Sequence, residues 1–411
     1  MTASGRRSGR RGGSSPGELL RLIMDGRATT RTALAEVTGL ARSTIAQRLE
    51  PLVSSGLVQE TETGVSTGGR PPMVLTFNRA AGVILVADIG ATLVRVALTD
   101  LAGTVLARTS QELAVAAGPE IVLGEVQARF DELLAQVGRA DTDVRGIGIG
   151  VPGPVEFARG VAVSPPIMPG WNDYPIPVPF AARFHAPVLV DNDVNIMALG
   201  EYERCWRDKV NDLLFVKIGT GIGAGLIVDG RIRRGAQGAA GDIGHIRVVG
   251  ADHVVCPCSN VGCLEAVAGG GALARQLREH GKQAAGPAEV VDLVRQGDPD
   301  AVGLVRGAGR QLGIVLAGLV NLLNPAVIVV GGRLANVDQQ LLAGVRESIY
   351  SRSLPLATRN LQIVRSQLGE NAGIAGAAAL VLEHLLTPDA VDARLASGGL
   401  AGVTGASAAT G

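Results

Sequence analysis

Two stretches of this 411-residue chain share one plan: VADIGATLVRVALTDLAGTVL at 86–106 and VKIGTGIGAGLIVDGRIRRG at 216–235. Each reads as an apolar strand, a Gly/Thr turn, a second apolar strand, an Asp-x-x-Gly or Asp-Gly turn, and a third strand. Such a repeat predicts two similar lobes that face each other. Between them, RGIGIGVPGPV (145–155) and APVLVDNDVNIMALGEY (186–202) each read as a buried strand ending in a polar or Gly/Pro loop. The second then runs on into a helix. The expected class is α/β, and aromatic residues at only 3% leave Ala, Val, Leu and Ile to build the core.

The most apolar window, LGIVLAGLVNLLNPAVIVVGG (312–332), is broken by Asn321, Asn324 and Pro325. It predicts a buried helix, a break and a buried strand rather than a membrane span, which needs about twenty clean apolar residues. Residues 1–15, MTASGRRSGRRGGSS, have no apolar stretch behind them and read as a flexible basic arm, not a secretory signal. The expected location is cytoplasmic, with no membrane partner. From 388 the chain runs into the Ala/Gly/Ser-rich GGLAGVTGASAATG and reads as a disordered tail over 388–411. The remaining boundaries fall at 16–80 for a helical unit with a hairpin, and at 81–387 for the α/β domain.

Net charge is zero, but the amino-terminal end is locally basic, with Arg6, Arg7, Arg10 and Arg11 in the arm and Arg42, Arg48 and Arg70 beyond it. In TRTALAEVTGLARSTIAQRLEPLVSSGLV (30–58), Ala33, Leu34, Val37 and Leu40 form one apolar stripe, and Ile45, Leu49, Leu52 and Val53 a second. Gly39 permits the turn between two helices, and Ser43 is placed to cap the second. The outward face of that helix carries Ser43, Thr44, Gln47 and Arg48, beside Arg42, which suits phosphates and base edges in a major groove. The hairpin that follows has a Gly-rich tip with Arg70, the form of a wing. Pro51 should bend the second helix. The pattern alone also allows a small protein-interaction domain; the segment resembles the winged helix-turn-helix of bacterial repressors, which implies a double-stranded DNA operator as partner.

His245-x10-Cys256-x-Cys258-x4-Cys263 gathers three of the four cysteines. Three thiolates and an imidazole suit tetrahedral Zn²⁺, and four protein ligands leave no open position, so the site would be structural. Buried free thiols or one disulfide are the alternatives, the latter disfavoured in the cytoplasm. Cys205 lies apart and reads as an ordinary buried thiol.

Several motifs together resemble the ROK family (repressors, open reading frames of unknown role and sugar kinases). They are DIGAT (88–92), GIGIGVPGPV (146–155), PGW (169–171), NDVNIMALGE (192–201), GTGIGAGLIVDGRIRRGAQGAAGDIGH (219–245), CPCSNVGCLE (256–265), VIVVGG (327–332) and GIAGAAAL (373–380). The resemblance implies an actin/hexokinase-like fold, a duplicated ribonuclease H-like unit in two α/β lobes around a cleft. Here an α+β winged helix precedes it. The resemblance also implies a homodimer or homotetramer.

Asp193 follows the strand VLV and is the candidate general base for a sugar hydroxyl. Read by pattern alone, Asn192-Asp193 is equally a turn and helix cap. By resemblance, Asn192, Asp193, Asp242, His245 and Glu265 contact sugar, and His245 serves both zinc and sugar. The glycine-rich turns offer backbone N–H groups to phosphates. By resemblance, Asp88 helps to hold Mg²⁺, Gly90, Thr92, Thr220 and Gly221 meet the phosphates of ATP, and Gly331 and Gly332 line an adenosine pocket. The chain departs from the family pattern at Asp242 (usually Glu), Ser259 (usually Gly), Pro166 (commonly Asn in kinases) and Ala91 (usually Gly). Two readings follow: a sugar-responsive transcriptional regulator, acting as a repressor, or an ATP-dependent hexose kinase that also carries a DNA-binding domain.

Overall fold

One-sided apolar spacing builds the amino-terminal unit. The computed structural model describes residues 15–62 and 73–397. Helix α1 (Pro16–Met24) starts at a capping box: the Glu18 N–H donates to the Ser15 hydroxyl, and the Ser15 N–H to the Glu18 carboxylate. Thr30 caps α2 (Arg31–Thr38), which ends on Gly39 at φ 72°, the left-handed conformation that turns the chain towards α3 (Arg42–Ser54). Leu34, Ile45, Leu49 and Leu52 are fully buried, with Leu19 and Leu20 of α1. Strands β1 (Val58–Glu62) and β2 (Met73–Phe77) pair antiparallel from Val58↔Phe77 to Glu62↔Met73. The wing is therefore present, while its tip with Arg70 lies outside the described residues, as does the arm before Ser15.

Two local expectations differ. Val37 and Val53 are 51% and 38% exposed, because helices this short bury one ridge each and both valines fall beside it. Ser43 does not cap α3. The helix starts two residues earlier, with Ala41 as N-cap and no side-chain bond, so Ser43 sits exposed in the first turn. Pro51, expected to bend α3, lies inside it, and the helix continues to Ser54, with the Ser55 N–H donating to the Pro51 carbonyl at 3.0 Å.

The larger unit is built on a duplication. Its first sheet holds β3 (Val83–Ile89), β4 (Leu93–Asp100), β5 (Val105–Glu112), β6 (Val144–Val151) and β9 (Val188–Asn192), in the order β5-β4-β3-β6-β9. Helix α4 (Pro119–Val137) connects β5 to β6. The short strands β7 (Val155–Glu156) and β8 (Val161–Ala162) and helix α5 (Pro177–Phe184) lie between β6 and β9, and α6 (Asp193–Glu201) follows β9. The second sheet repeats the order as β12-β11-β10-β13-β14, from β10 (Leu213–Ile218), β11 (Ile222–Val228), β12 (Arg231–Ile232), β13 (Val327–Gly331) and β14 (Gln362–Arg365). In it β10 pairs antiparallel with β11 and parallel with β13. The two hairpin plans read from sequence are the first three strands of these two sheets.

Between β12 and β13 come α7 (Leu264–Ala268), α8 (Gly270–Glu279), α9 (Pro287–Arg295) and α10 (Pro299–Leu323). Helix α10 ends on Asn324 at φ 46° and Val327 opens a fully buried strand, matching the helix, break and strand expected for 312–332. Helices α11 (Asp338–Arg352) and α12 (Pro355–Thr358) lead to β14, and α13 (Ala372–Leu386) follows it. Among the described residues no single helix is long and apolar enough to cross a membrane.

The last helix is a correction. Residues 388–396, placed by composition in a disordered tail, form α14 (Pro388–Ala396), capped by Thr387. Its Asp392 accepts from the Gly17 N–H at 2.7 Å, and a Cβ at Gly17 would overlap the Pro388 backbone, so α14 packs on α1. Averaging over 388–411 hid a good N-cap, a proline at the first helical position and no glycine before 398.

Candidate functional site

The turns and strand ends of the larger unit wall a cleft of about 560 Å³. Gly90 and Thr92 come from the first hairpin turn, Thr220 and Gly221 from the second, and Gly331 and Gly332 from the end of β13. Asn192, Asp193, Asp242, His245 and Glu265 line the same cleft. Residues spread over 240 positions are thus brought to one hollow. Asp88 is the exception: it lies beneath the wall at 3% exposure, where a Cβ on Gly373 of α13 would overlap its carboxylate.

Asn192 is the N-cap of α6. Its Oδ1 accepts from the N–H groups of Val194 (2.8 Å) and Asn195 (3.3 Å), and its Nδ2 donates to the Gly153 carbonyl at 2.9 Å. The cap reading of this asparagine is therefore what the structure shows, and it also ties the loop after β6 to the cleft wall. Asp191 beneath it accepts from Asn195 Nδ2 and from Arg234 Nε, at 2.9 and 2.8 Å. Arg234 stacks 3.8 Å from the Phe157 ring centroid. This clamp fixes the start of the glycine-rich segment that carries Asp242. Glu265 Oε2 accepts from the Ile222 N–H at 3.1 Å, and a Cβ at 221 would overlap that oxygen, so Gly221 lets the carboxylate reach the turn.

Asp193, 3% exposed at the first position of α6, does not stand alone. Its Oδ2 accepts a short hydrogen bond from Lys217 Nζ of β10. Burial pushes the ammonium down, but Asp193, by charge and hydrogen bond, and then Asp88 bring it up overall. Asp88 has Arg95 Nη1 of β4 at 3.7 Å from its Oδ2, an oxygen with no hydrogen-bond partner among the described residues. Burial raises the Asp88 carboxyl to about 6, against the opposing pull of Lys217 and Arg95.

The cysteine motif closes into a cage. Its four donor atoms lie within 4.8 Å of one another. Cys258 Sγ and Cys263 Sγ are 3.7 Å apart, as are Cys256 Sγ and His245 Nδ1. A tetrahedral zinc with Zn–S near 2.3 Å has sulfur–sulfur edges of about 3.8 Å, so the donor set fits that ion. All four cysteines are free thiols, which removes the disulfide alternative here, and Cys205 is half-buried and separate. Burial pushes the Cys256 thiol up to about 12, whereas Cys258 is brought down to about 7 despite its burial, by hydrogen bonds from the Asn260 backbone and the neighbouring thiols. Ser259, directly after Cys258, takes φ 72°, the conformation glycine favours. The opposite ring nitrogen, His245 Nε2, lies 3.8 Å from Asp242 Oδ1, so one imidazole touches both cage and cleft.

In the amino-terminal unit Arg42, Ser43 and Gln47 are exposed on α3, and Thr44 and Arg48 are half-buried beside them. Lys217, Arg95 and the Asp191–Arg234 clamp went unread in the sequence. Lys217 had a signal: it is the sole charged residue in the buried strand LLFVKI, directly before a glycine turn. Arg234 had none, since its carboxylate partner Asp191 lies 43 positions away, whereas Arg95 stands in the same hairpin as its partner Asp88.

Two sheets of one strand order, closing on a glycine-walled cleft, define the actin/hexokinase-like class of two-lobed α/β domain, here preceded by a winged helix. The chain belongs to the ROK family, whose model matches residues 84–384. A winged helix-turn-helix DNA-binding model matches residues 17–59. The xylose repressor of Caldicellulosiruptor bescii is 29% identical over 90% of this chain and 95% of its own length. Among solved structures, a ROK family transcriptional regulator described as a homolog of the E. coli MLC protein superposes with TM-score 0.77 at 27% identity, covering 94% of this chain and 99% of that one. A ROK family glucokinase from Streptomyces griseus, in complex with glucose and AMPPNP, gives TM-score 0.64 at 30% identity over 73% of this chain and 99% of its own.

Proposed function

We propose that this protein is a sugar-responsive, DNA-binding transcriptional repressor. The observation that carries the reading is that a winged helix and a carboxylate-lined cleft stand in one chain that aligns along nine tenths of its length with a xylose repressor. In this reading α3 enters the major groove and presents Arg42, Ser43, Thr44, Gln47 and Arg48, and Arg70 is a further DNA contact. The effector is a sugar held by hydroxyl contacts to Asn192, Asp193, Asp242, His245 and Glu265. The cage of His245, Cys256, Cys258 and Cys263 holds a structural Zn²⁺, which fixes the imidazole and so the pocket. The turns at Gly90, Thr92, Thr220, Gly221, Gly331 and Gly332 form the rest of the wall, where backbone N–H groups suit phosphate oxygens.

Two copies acting together give the response its leverage. Sugar favours one lobe or subunit geometry over another, and this changes the spacing at which two recognition helices meet their half-sites. The test is a duplex selected from a random library, with binding followed by anisotropy while D-xylose or D-glucose is added. The expected result is a sugar-dependent change in affinity. Arg48→Ala should weaken DNA binding while leaving sugar-induced thermal stabilisation intact. Loss of both together, in a variant that folds, would contradict separate reader and sensor sites.

A further inference from the structure

The two copies of the hairpin put opposite charges at one structural position. Asp88 is the penultimate residue of β3 and Lys217 the penultimate residue of β10, each followed by Ile-Gly and the turn. Lys217 faces Gly223 on β11 and Gly331 on β13, so neither flanking strand puts a side chain beside its stem. It shares a face with Phe215, which packs among Val194 and Met197 of α6, and its ammonium ends at the start of that helix, on Asp193. This chain has only three lysines, 209, 217 and 282, and otherwise uses arginine. The position thus carries a compact point charge in a chain that seldom uses one.

Leaving aside the exposed Glu370, the charges of the cluster balance. Asp88 and Asp193 supply two negative charges, and Lys217 and Arg95 two positive ones. Mg²⁺ needs oxygen donors, and the resemblance to sugar kinases would assign it to Asp88. The donor set does not fit: both carboxylates already face cations, and Arg95 also reaches Glu370 at 3.7 Å. Asp193, the candidate general base, is already ion-paired through Oδ2 to Lys217, so only its other oxygen is left to a sugar hydroxyl.

We infer that Lys217 and Arg95 stand in for the divalent ion, so that the cleft takes a neutral sugar without Mg²⁺ or nucleotide and does not phosphorylate it. The identity of the ligand as a sugar rests on the function proposed above; the self-neutralised ion cluster does not. A neutral polyol can donate a hydroxyl to Asp193 and accept from Lys217 while leaving the cluster balanced.

Three measurements on the full-length, zinc-loaded chain test this. Mn²⁺ titration followed by electron paramagnetic resonance should show no site on the wild type that responds to Asp88→Asn. Lys217→Gln should create such a site, tightening Mn²⁺ binding by at least about tenfold because two carboxylates then share one cation. Asp88→Asn added to that variant should remove the gain. Calorimetry with D-xylose and D-glucose should give the same affinity with and without Mg²⁺, and a coupled assay should detect no ADP release. A wild-type Mn²⁺ site that Asp88→Asn abolishes, ADP release, or sugar binding that needs Mg²⁺ would each overturn the inference. A folded Lys217→Gln variant with no gain would overturn it too. Where that variant does not fold, the three wild-type measurements still decide. Absence of any sugar binding would instead count against the proposed function, leaving the Mn²⁺ results to judge the ion cluster.

Discussion

Asp88 and Lys217 are the same residue of one hairpin, written once in each lobe. Around both, the backbone plan is conserved: an apolar strand, Ile-Gly, a turn, a second strand, and a sheet of identical order. Their surroundings differ. Asp88 is sealed beneath α13, with one oxygen lacking a hydrogen bond among the described residues, whereas Lys217 reaches into the cleft wall and is ion-paired with Asp193. The second lobe also carries the cysteine cage and most of the acidic wall. Duplication therefore supplies the scaffold, and divergence at single positions decides whether a lobe contributes buried charge, a counter-ion or a ligand contact.

The largest effect should come from the cage, which braces only one lobe. Cys256→Ser, or chelation, should lower the melting temperature and abolish sugar-induced stabilisation, because metal binding is coupled to the folding of its loop. Elemental analysis of the purified chain should find one zinc per protomer; sugar binding by zinc-free protein would break the link between cage and cleft. Next comes the ion pair. Lys217→Met leaves Asp193 buried and unpaired and should destabilise the chain by about 3 kcal/mol, the lower end for a broken buried pair since the lysine side chain is 23% exposed. Lys217→Met with Asp193→Asn should recover most of that loss in denaturant unfolding.

Asp88 should behave in the opposite sense to its counterpart. Its folded-state carboxyl lies at about 6, above the ordinary 3.8, so the folded chain holds that proton more tightly than the unfolded one. Stability from this group is present at low pH and lost as pH rises through about 6. Asp88→Asn should therefore stabilise the chain by up to about 3 kcal/mol above pH 7 and have little effect below pH 4. A pH-independent difference in denaturant unfolding would contradict burial as the cause. The smallest effect lies in the cage turn: Ser259→Gly relieves a left-handed φ of 72° and should raise stability by less than about 1 kcal/mol.

Much of this architecture was legible because it is local or periodic. The hairpin repeat, the helix-break-strand at Asn324-Pro325, the wing and the cysteine spacing each lie within a short window. Most of what escaped depended on partners far apart in the chain. Lys217 meets Asp193 across 24 positions, and Arg234 meets Asp191 across 43. Helix α14 had local signals that averaging hid, but its packing partner, α1, lies at the other end of the chain. Val37 and Val53 failed for the converse reason: periodicity marks a face but not how much of it neighbours can cover.

The central claim is that the cleft senses a sugar by itself and that the winged helix reports it. DNA affinity should be measured against rising D-xylose and D-glucose, with and without saturating MgATP. A shift produced by one of these sugars alone, unaltered by MgATP, is the predicted result. A shift that appears only when MgATP is present would contradict it.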